Sequence, residues 1–298
     1  MTDFDGPEIS DLNQEVYEVY RNLATEVAAY EQDAEISVPD SFDVGSVHEA
    51  LDFPLTLWES GRKPTRTVPA LVAYEQFLDR DEREIIVRIL AGLDAFVGML
   101  DEFIDTDQSD RRHRTKLAVN VAFSSLLSFS SIPEPNRDVV VDALSVYFVE
   151  ASRIPAVEQE VARALKDETS RERAMELIRF VYGFRARDIS VFGTVPALVS
   201  DVDIERADRI ENDLRTFRAH CLLYDDVRDI EEDLKNGIET PVMWLLDHYD
   251  PEEVAAQIEA VYQSFEYSNA EYTNRLCEME PGCDDLVDEL ALLASRIR

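Results

Sequence analysis

Lysine is scarce in this chain. Lys63, Lys116, Lys166 and Lys235 are the only four in 298 residues, against 63 Asp and Glu. The formal net charge of −34 excludes nucleic acid and anionic membrane surfaces as general partners, because both are polyanions. An acid-rich, lysine-poor surface suits high cytoplasmic salt, where self-repulsion is screened, so a halophilic, archaeal-type source is expected. Three cysteines, Cys221, Cys277 and Cys283, are too few for a disulfide framework. Cys277 and Cys283 lack the spacing or histidine partners of a zinc site, and a cytoplasmic location is expected. His48, His113, His220 and His248 form no ligand-spaced cluster. Nine glycines and twelve prolines disfavour a turn-rich β protein. The opening Met-Thr-Asp-Phe-Asp-Gly lacks the basic and apolar regions of a signal peptide. No apolar run approaches the ~20 residues of a membrane span, so a soluble protein is expected.

What is present is helical periodicity. Val16, Tyr20, Leu23, Val27 and Tyr30 mark an amphipathic helix over 8–32, and a connector follows to about residue 45. A short helix from 47 ends near Gly61, and another runs over 68–78. Ile85, Ile89, Leu93, Phe96, Leu100 and Phe103 form a stripe over 82–106, and 114–131 reads as a helix buried all round. Further helices are expected at 136–150, 155–167, 170–194, 203–234, 239–248, 251–266 and 270–297. Strand-like alternation is nearly absent. The expected class is all-α.

The most informative stretch is Cys221-Leu-Leu-Tyr-Asp-Asp-Val-Arg-Asp-Ile-Glu-Glu-Asp-Leu-Lys-Asn-Gly237. Asp225, Asp226, Asp229 and Asp233 recur at spacings of three and four, which stack carboxylates about one turn, or 6 Å, apart. Like charges that close weaken a helix unless a cation or cation-bridged ligand neutralises them. Asp94, Asp101 and Asp105 share a face of an earlier, strongly apolar helix, where charge is costly unless paired or metal-bound. Two such faces suggest two walls of one metal–diphosphate pocket. Each also reads as a solvated acidic face.

Asp225-Asp226-Val-Arg-Asp229 and Asp101-Glu102-Phe-Ile-Asp105, in that pairing, resemble the two D-D-x-x-D motifs of the trans-isoprenyl diphosphate synthases, of the class I isoprenoid synthase superfamily. The likeness spans roughly residues 45–250. It implies a single-domain bundle of about ten or more helices around a central cavity, with 46–298 as that domain and 1–45 as an N-terminal helix and connector. It implies Mg2+ held by Asp101, Asp105, Asp225, Asp226 and Asp229, with Asp101, Asp105, Asp225 and Asp229 as the catalytic set. Arg111 and Arg112 match a diphosphate-gripping pair, which suits arginine's fork. Lys63 and Arg66 keep the K-x-x-R spacing of a homoallylic diphosphate segment, and Lys235 adds charge after the second motif. Phe96, five residues before Asp101, sits where the family floors its product tunnel and shortens the product.

The implied reaction condenses an allylic diphosphate with isopentenyl diphosphate to a product near farnesyl or geranylgeranyl length, and the implied assembly is a homodimer. There are departures. Glu102 replaces an aspartate, Leu222 and Leu223 stand where glutamine is usual, and no Lys-Thr pair precedes the second motif, Arg187 being the nearest substitute. A terpene cyclase or head-to-head synthase, which would not need Lys63 and Arg66, is one alternative. A catalytically silent regulatory subunit is another.

Overall fold

A computed structural model describes residues 7–33, 47–61, 65–105, 111–200, 202–236, 240–287 and 289–290. These residues form helices and no strand, which is the expected class. They gather into two compact units, 1–142 with 195–202, and 143–194 with 203–298.

The first unit holds α1 (Ile9–Asp33), α2 (Val47–Glu59), α3 (Thr67–Tyr74), α4 (Arg80–Asp105) and α5 (Arg111–Ser130). On α1 the predicted stripe is buried at Val16, Tyr20, Leu23 and Val27. Its Tyr20 hydroxyl donates to the Leu51 carbonyl at 2.9 Å, fastening α1 to α2. Gly61 ends α2 at φ 70°, the left-handed turn in which glycine carries no Cβ penalty. On α4 the buried line is Ile86, Ile89, Leu90 and Leu93, one residue round from the predicted stripe, leaving Ile85 and Phe96 half-buried and Leu100 exposed. The expected all-round burial of the next helix is not found. On α5 Leu117, Asn120, Ser124 and Ser128 face inward, while Thr115, Ala118, Ala122 and Leu126 are exposed. The inward face is small and polar because α4 lies close to it: a Cβ on Gly92 would come 2.8 Å from the Ser128 nitrogen.

The second unit holds α7 (Ile154–Lys166), α8 (Arg171–Arg185), α10 (Ile204–Arg228), α11 (Ile230–Asn236), α12 (Pro241–His248), α13 (Pro251–Tyr262) and α14 (Thr273–Met279). α6 (Arg137–Ala151) and α9 (Ser190–Val199) give residues to both units. In this unit, among the described residues, Ser170 caps α8, Asp203 caps α10 and Asp250 caps α13, each accepting a first-turn backbone N–H. α10 is buried along one side from Ile210 onward and contributes Leu214, Phe217, Leu222, Leu223 and Val227 to the core. Burial traps polar groups that require partners. Asp213 is 1% exposed and accepts from Ser268 N and Oγ and Tyr272 Oη, each at 2.6 Å. His220 Nδ1 lies 2.8 Å from Glu280, whose carboxylate also accepts from Tyr262 Oη at 3.1 Å and Tyr267 Oη at 2.6 Å.

Three predicted helices are broken. A 3-10 turn over Ala186–Ile189 separates α8 from α9, Asp229 separates α10 from α11, and Pro281-Gly282 interrupts the last.

Candidate active site

The second acidic motif occupies the end of α10. Asp229, at φ −93° and ψ 6°, leaves helical geometry while its N–H still bonds the Asp225 carbonyl at 2.9 Å. The three motif aspartates then part company. Asp226 points inward, 5% exposed, and its Oδ2 accepts from Tyr182 Oη at 2.7 Å and Arg185 Nη1 at 2.8 Å. Arg185 reaches on to Glu158 at 2.8 Å. Burial alone would lower the Arg185 guanidinium, but Asp226 and Glu158 hold it charged, above its ordinary value. Burial, with Asp226 beside it, raises the Tyr182 phenol.

Asp225 and Asp229 point outward, with 38% and 41% of their side chains exposed. Arg228 spans them. Its Nε and Nη2 fork onto the two Asp229 oxygens at 2.8 and 2.9 Å, and Nη2 reaches Asp225 Oδ1 at 3.2 Å. Burial pushes the Asp225 carboxyl above the usual range, and Arg218 and Arg228 pull it back. Arg218 is bound to Asp188, its Nε standing 3.0 Å from each carboxylate oxygen. Lys235 is exposed on α11.

Arg218 precedes Asp225 by seven residues, a helical repeat that was legible in the sequence. Arg185, rather than Arg187, engages the motif; Arg187 reaches Glu150 at 3.6 Å. That choice depends on the 3-10 turn after α8, which no residue pattern signals.

In the first unit, Arg66 stands just before α3. The Arg66 and Thr67 amides and the Thr67 hydroxyl all donate to Asp94 Oδ2, at 2.7, 3.0 and 3.0 Å. Asp94 thereby caps α3 although it belongs to α4. Arg66 Nη1 lies 3.6 Å from Asp94 Oδ1, with 11% of the arginine side chain exposed and 1% of the aspartate's. Burial raises the Asp94 carboxyl above its ordinary value, opposed by Arg66 and the Thr67 donors. Asp94 therefore serves the loop before α3, not the acidic face read with Asp101 and Asp105. Asp101 and Asp105 fall on the last turn of α4, and Arg111 and Arg112 open α5, but their side chains, and Lys63 as a whole, lie outside the described residues. Glu102 is buried, 9% exposed.

No protein-family model and no curated protein matches the sequence. Solved structures do. The geranylgeranyl pyrophosphate synthetase of Pyrococcus horikoshii matches at a TM-score of 0.56 and 12% identity, over 94% of this chain and 91% of that one. The heptaprenyl diphosphate synthase of Staphylococcus aureus matches at 0.57 and 13%, over 97% and 92%. The fold is that of the polyprenyl diphosphate synthases. A third such structure, the geranylgeranyl pyrophosphate synthetase of Geoglobus acetivorans, gives 0.52 and 16%, over 94% and 98%.

That fold family implies a divalent cation. Among the described residues no group of three or more His, Cys, Asp or Glu is placed to hold an ion. Two outward carboxylates nonetheless fit Mg2+, a hard cation that takes one or two protein carboxylates and completes its shell with water and substrate phosphate.

Proposed function

We propose that the chain is a Mg2+-dependent prenyltransferase that joins an allylic diphosphate to isopentenyl diphosphate, giving a product of farnesyl to geranylgeranyl length. The observation that carries this reading is the division of labour in the second motif: in a prenyl synthase fold, Asp225 and Asp229 face outward while Asp226 is fastened inward. Asp101, Asp105, Asp225 and Asp229 would hold the magnesium, which when bound draws off the charge of the departing pyrophosphate. Asp226 then acts on the cation indirectly, by fixing the face from which its neighbours project. Arg111, Arg112 and Lys235 would grip the allylic diphosphate through its oxygens. Lys63 and Arg66 would orient isopentenyl diphosphate, and apolar side chains, Phe96 among them, would exclude the water that quenches an allylic cation. Residues 46–298 form the catalytic domain in this reading, and the enzyme works as a homodimer in the cytoplasm.

Incubation with labelled isopentenyl diphosphate, allylic diphosphates and Mg2+ in molar KCl tests it. Elongated prenyl diphosphate is expected, lost in Asp225→Ala.

One observation favours a second reading. Arg66 already faces a buried carboxylate, so an anion at the Lys63/Arg66 loop competes with Asp94. A class I enzyme using a single diphosphate substrate, or a silent subunit, has no need of that loop. Cyclised or released hydrocarbon supports the former. Absent turnover with retained binding of an active synthase supports the latter.

A further inference from the structure

Three arginines surround the second acidic motif, and two of them are fixed elsewhere. Arg185 is held between Asp226 and Glu158, and Arg218 lies across Asp188. Arg228 differs, because its carboxylate contacts among the described residues are Asp225 and Asp229 themselves. On an uninterrupted helix, adjacent side chains diverge by about 100° and do not meet. Arg228 meets Asp225 as an ordinary i, i+3 neighbour, and the departure from helical angles at Asp229 accompanies its fork onto that adjacent carboxylate as well. Its guanidinium covers three of the four oxygens that the pair offers, at 2.8, 2.9 and 3.2 Å. With 41% of its side chain exposed, it has room to swing away.

We propose that Arg228 is a resident counter-ion that competes with divalent cations for Asp225 and Asp229, reserving the pair for a cation that arrives together with a diphosphate. This rests on the metal reading of the motif. A Mg2+ ion sits about 2.1 Å from its oxygen ligands, so it competes with the guanidinium for the same lone pairs and is repelled by that neighbouring positive charge. A lone cation weakens the fork and leaves Arg228 less well paired. A cation carrying a diphosphate brings its own oxygens, which match the planar fork and re-pair the arginine. The free ion is thus disfavoured relative to the ion–diphosphate complex. Arg228 is a positioning residue, acting through the carboxylates that it occupies.

The test uses the full chain in ~1 M KCl, which shortens the reach of unrelated surface charge to about 3 Å. Mn2+ binding is read by electron paramagnetic resonance with and without pyrophosphate, correcting for the complex formed in solution. Arg228→Gln is expected to bind Mn2+ alone roughly tenfold more tightly than the parent, and to lose most of the tightening that pyrophosphate gives the parent. Arg228→Lys, which keeps the charge but not the fork, should fall between them. If Arg228→Gln binds free Mn2+ no better than the parent while Asp225→Asn abolishes binding, the counter-ion role is wrong and the metal wall stands. If Asp225→Asn binds Mn2+ as the parent does, the metal wall falls and this inference with it.

Discussion

Replacing Asp226 with alanine separates the structural from the metal-binding share of the D-D-x-x-D motif. The side chain is 5% exposed, and its Oδ2 accepts from a phenol at 2.7 Å and a guanidinium at 2.8 Å. Truncation leaves Tyr182 Oη without its acceptor and Arg185 with Glu158 as its remaining carboxylate contact. Breaking one side of a buried ion pair costs about 3–5 kcal/mol, because the partner keeps its desolvation penalty. In a unit of this size each kcal/mol moves Tm by roughly 2–4 °C, so a fall of about 10 °C is expected by calorimetry. Tyr182→Phe removes one charge-assisted hydrogen bond and should lose about half as much. Asp225→Ala, at a half-exposed position, should leave Tm within ~2 °C while abolishing Mn2+ binding. A variant lacking the Asp226 carboxylate that melts with the parent, yet no longer binds Mn2+, would refute this assignment and return Asp226 to the ligand set.

Three further outcomes are expected. Gly92→Ala, whose Cβ would meet the Ser128 backbone at 2.8 Å, should lower stability by about 1–3 kcal/mol in denaturant unfolding, since backbone does not give way as a side-chain tip does. Asp94 has a folded-state carboxyl raised above 3.8, so its contribution is present below that pH and is lost as pH rises through the folded value. Relative to the parent, Asp94→Asn should therefore gain in Tm on going from about pH 4 to pH 7; a flat or opposite trend refutes the burial argument. Burial pushes the Cys221 thiol up to about 12, so under native conditions at pH 8 it should resist alkylation, as mass spectrometry of labelled peptides reads directly.

Much of the fold was legible because apolar residues recur at helical spacing. Val16, Tyr20, Leu23 and Val27 are buried as that spacing requires. What periodicity could not supply was where polar groups enter the interior. Apolar composition pointed to α5 as buried all round, whereas α5 is exposed on one side and α10 carries Asp213, His220 and Asp226 into the interior on the strength of partners 44 to 60 residues away. Composition weighs such residues as exposed, and their partners are invisible to a local window. The same blindness hid the pairing of Arg66 with Asp94, 28 residues on. The turn at Asp229 was missed for another reason. The backbone ladder continues through it, and neither glycine nor proline marks the spot.

The cluster at Glu280 gives residues 262–280 a share in whatever the acidic motif does. One carboxylate gathers an imidazole and two phenols, and that imidazole belongs to α10, five residues ahead of Asp225. Residues 262–280 therefore buttress the motif's helix. Loosening that brace would act on the helix that carries Asp225.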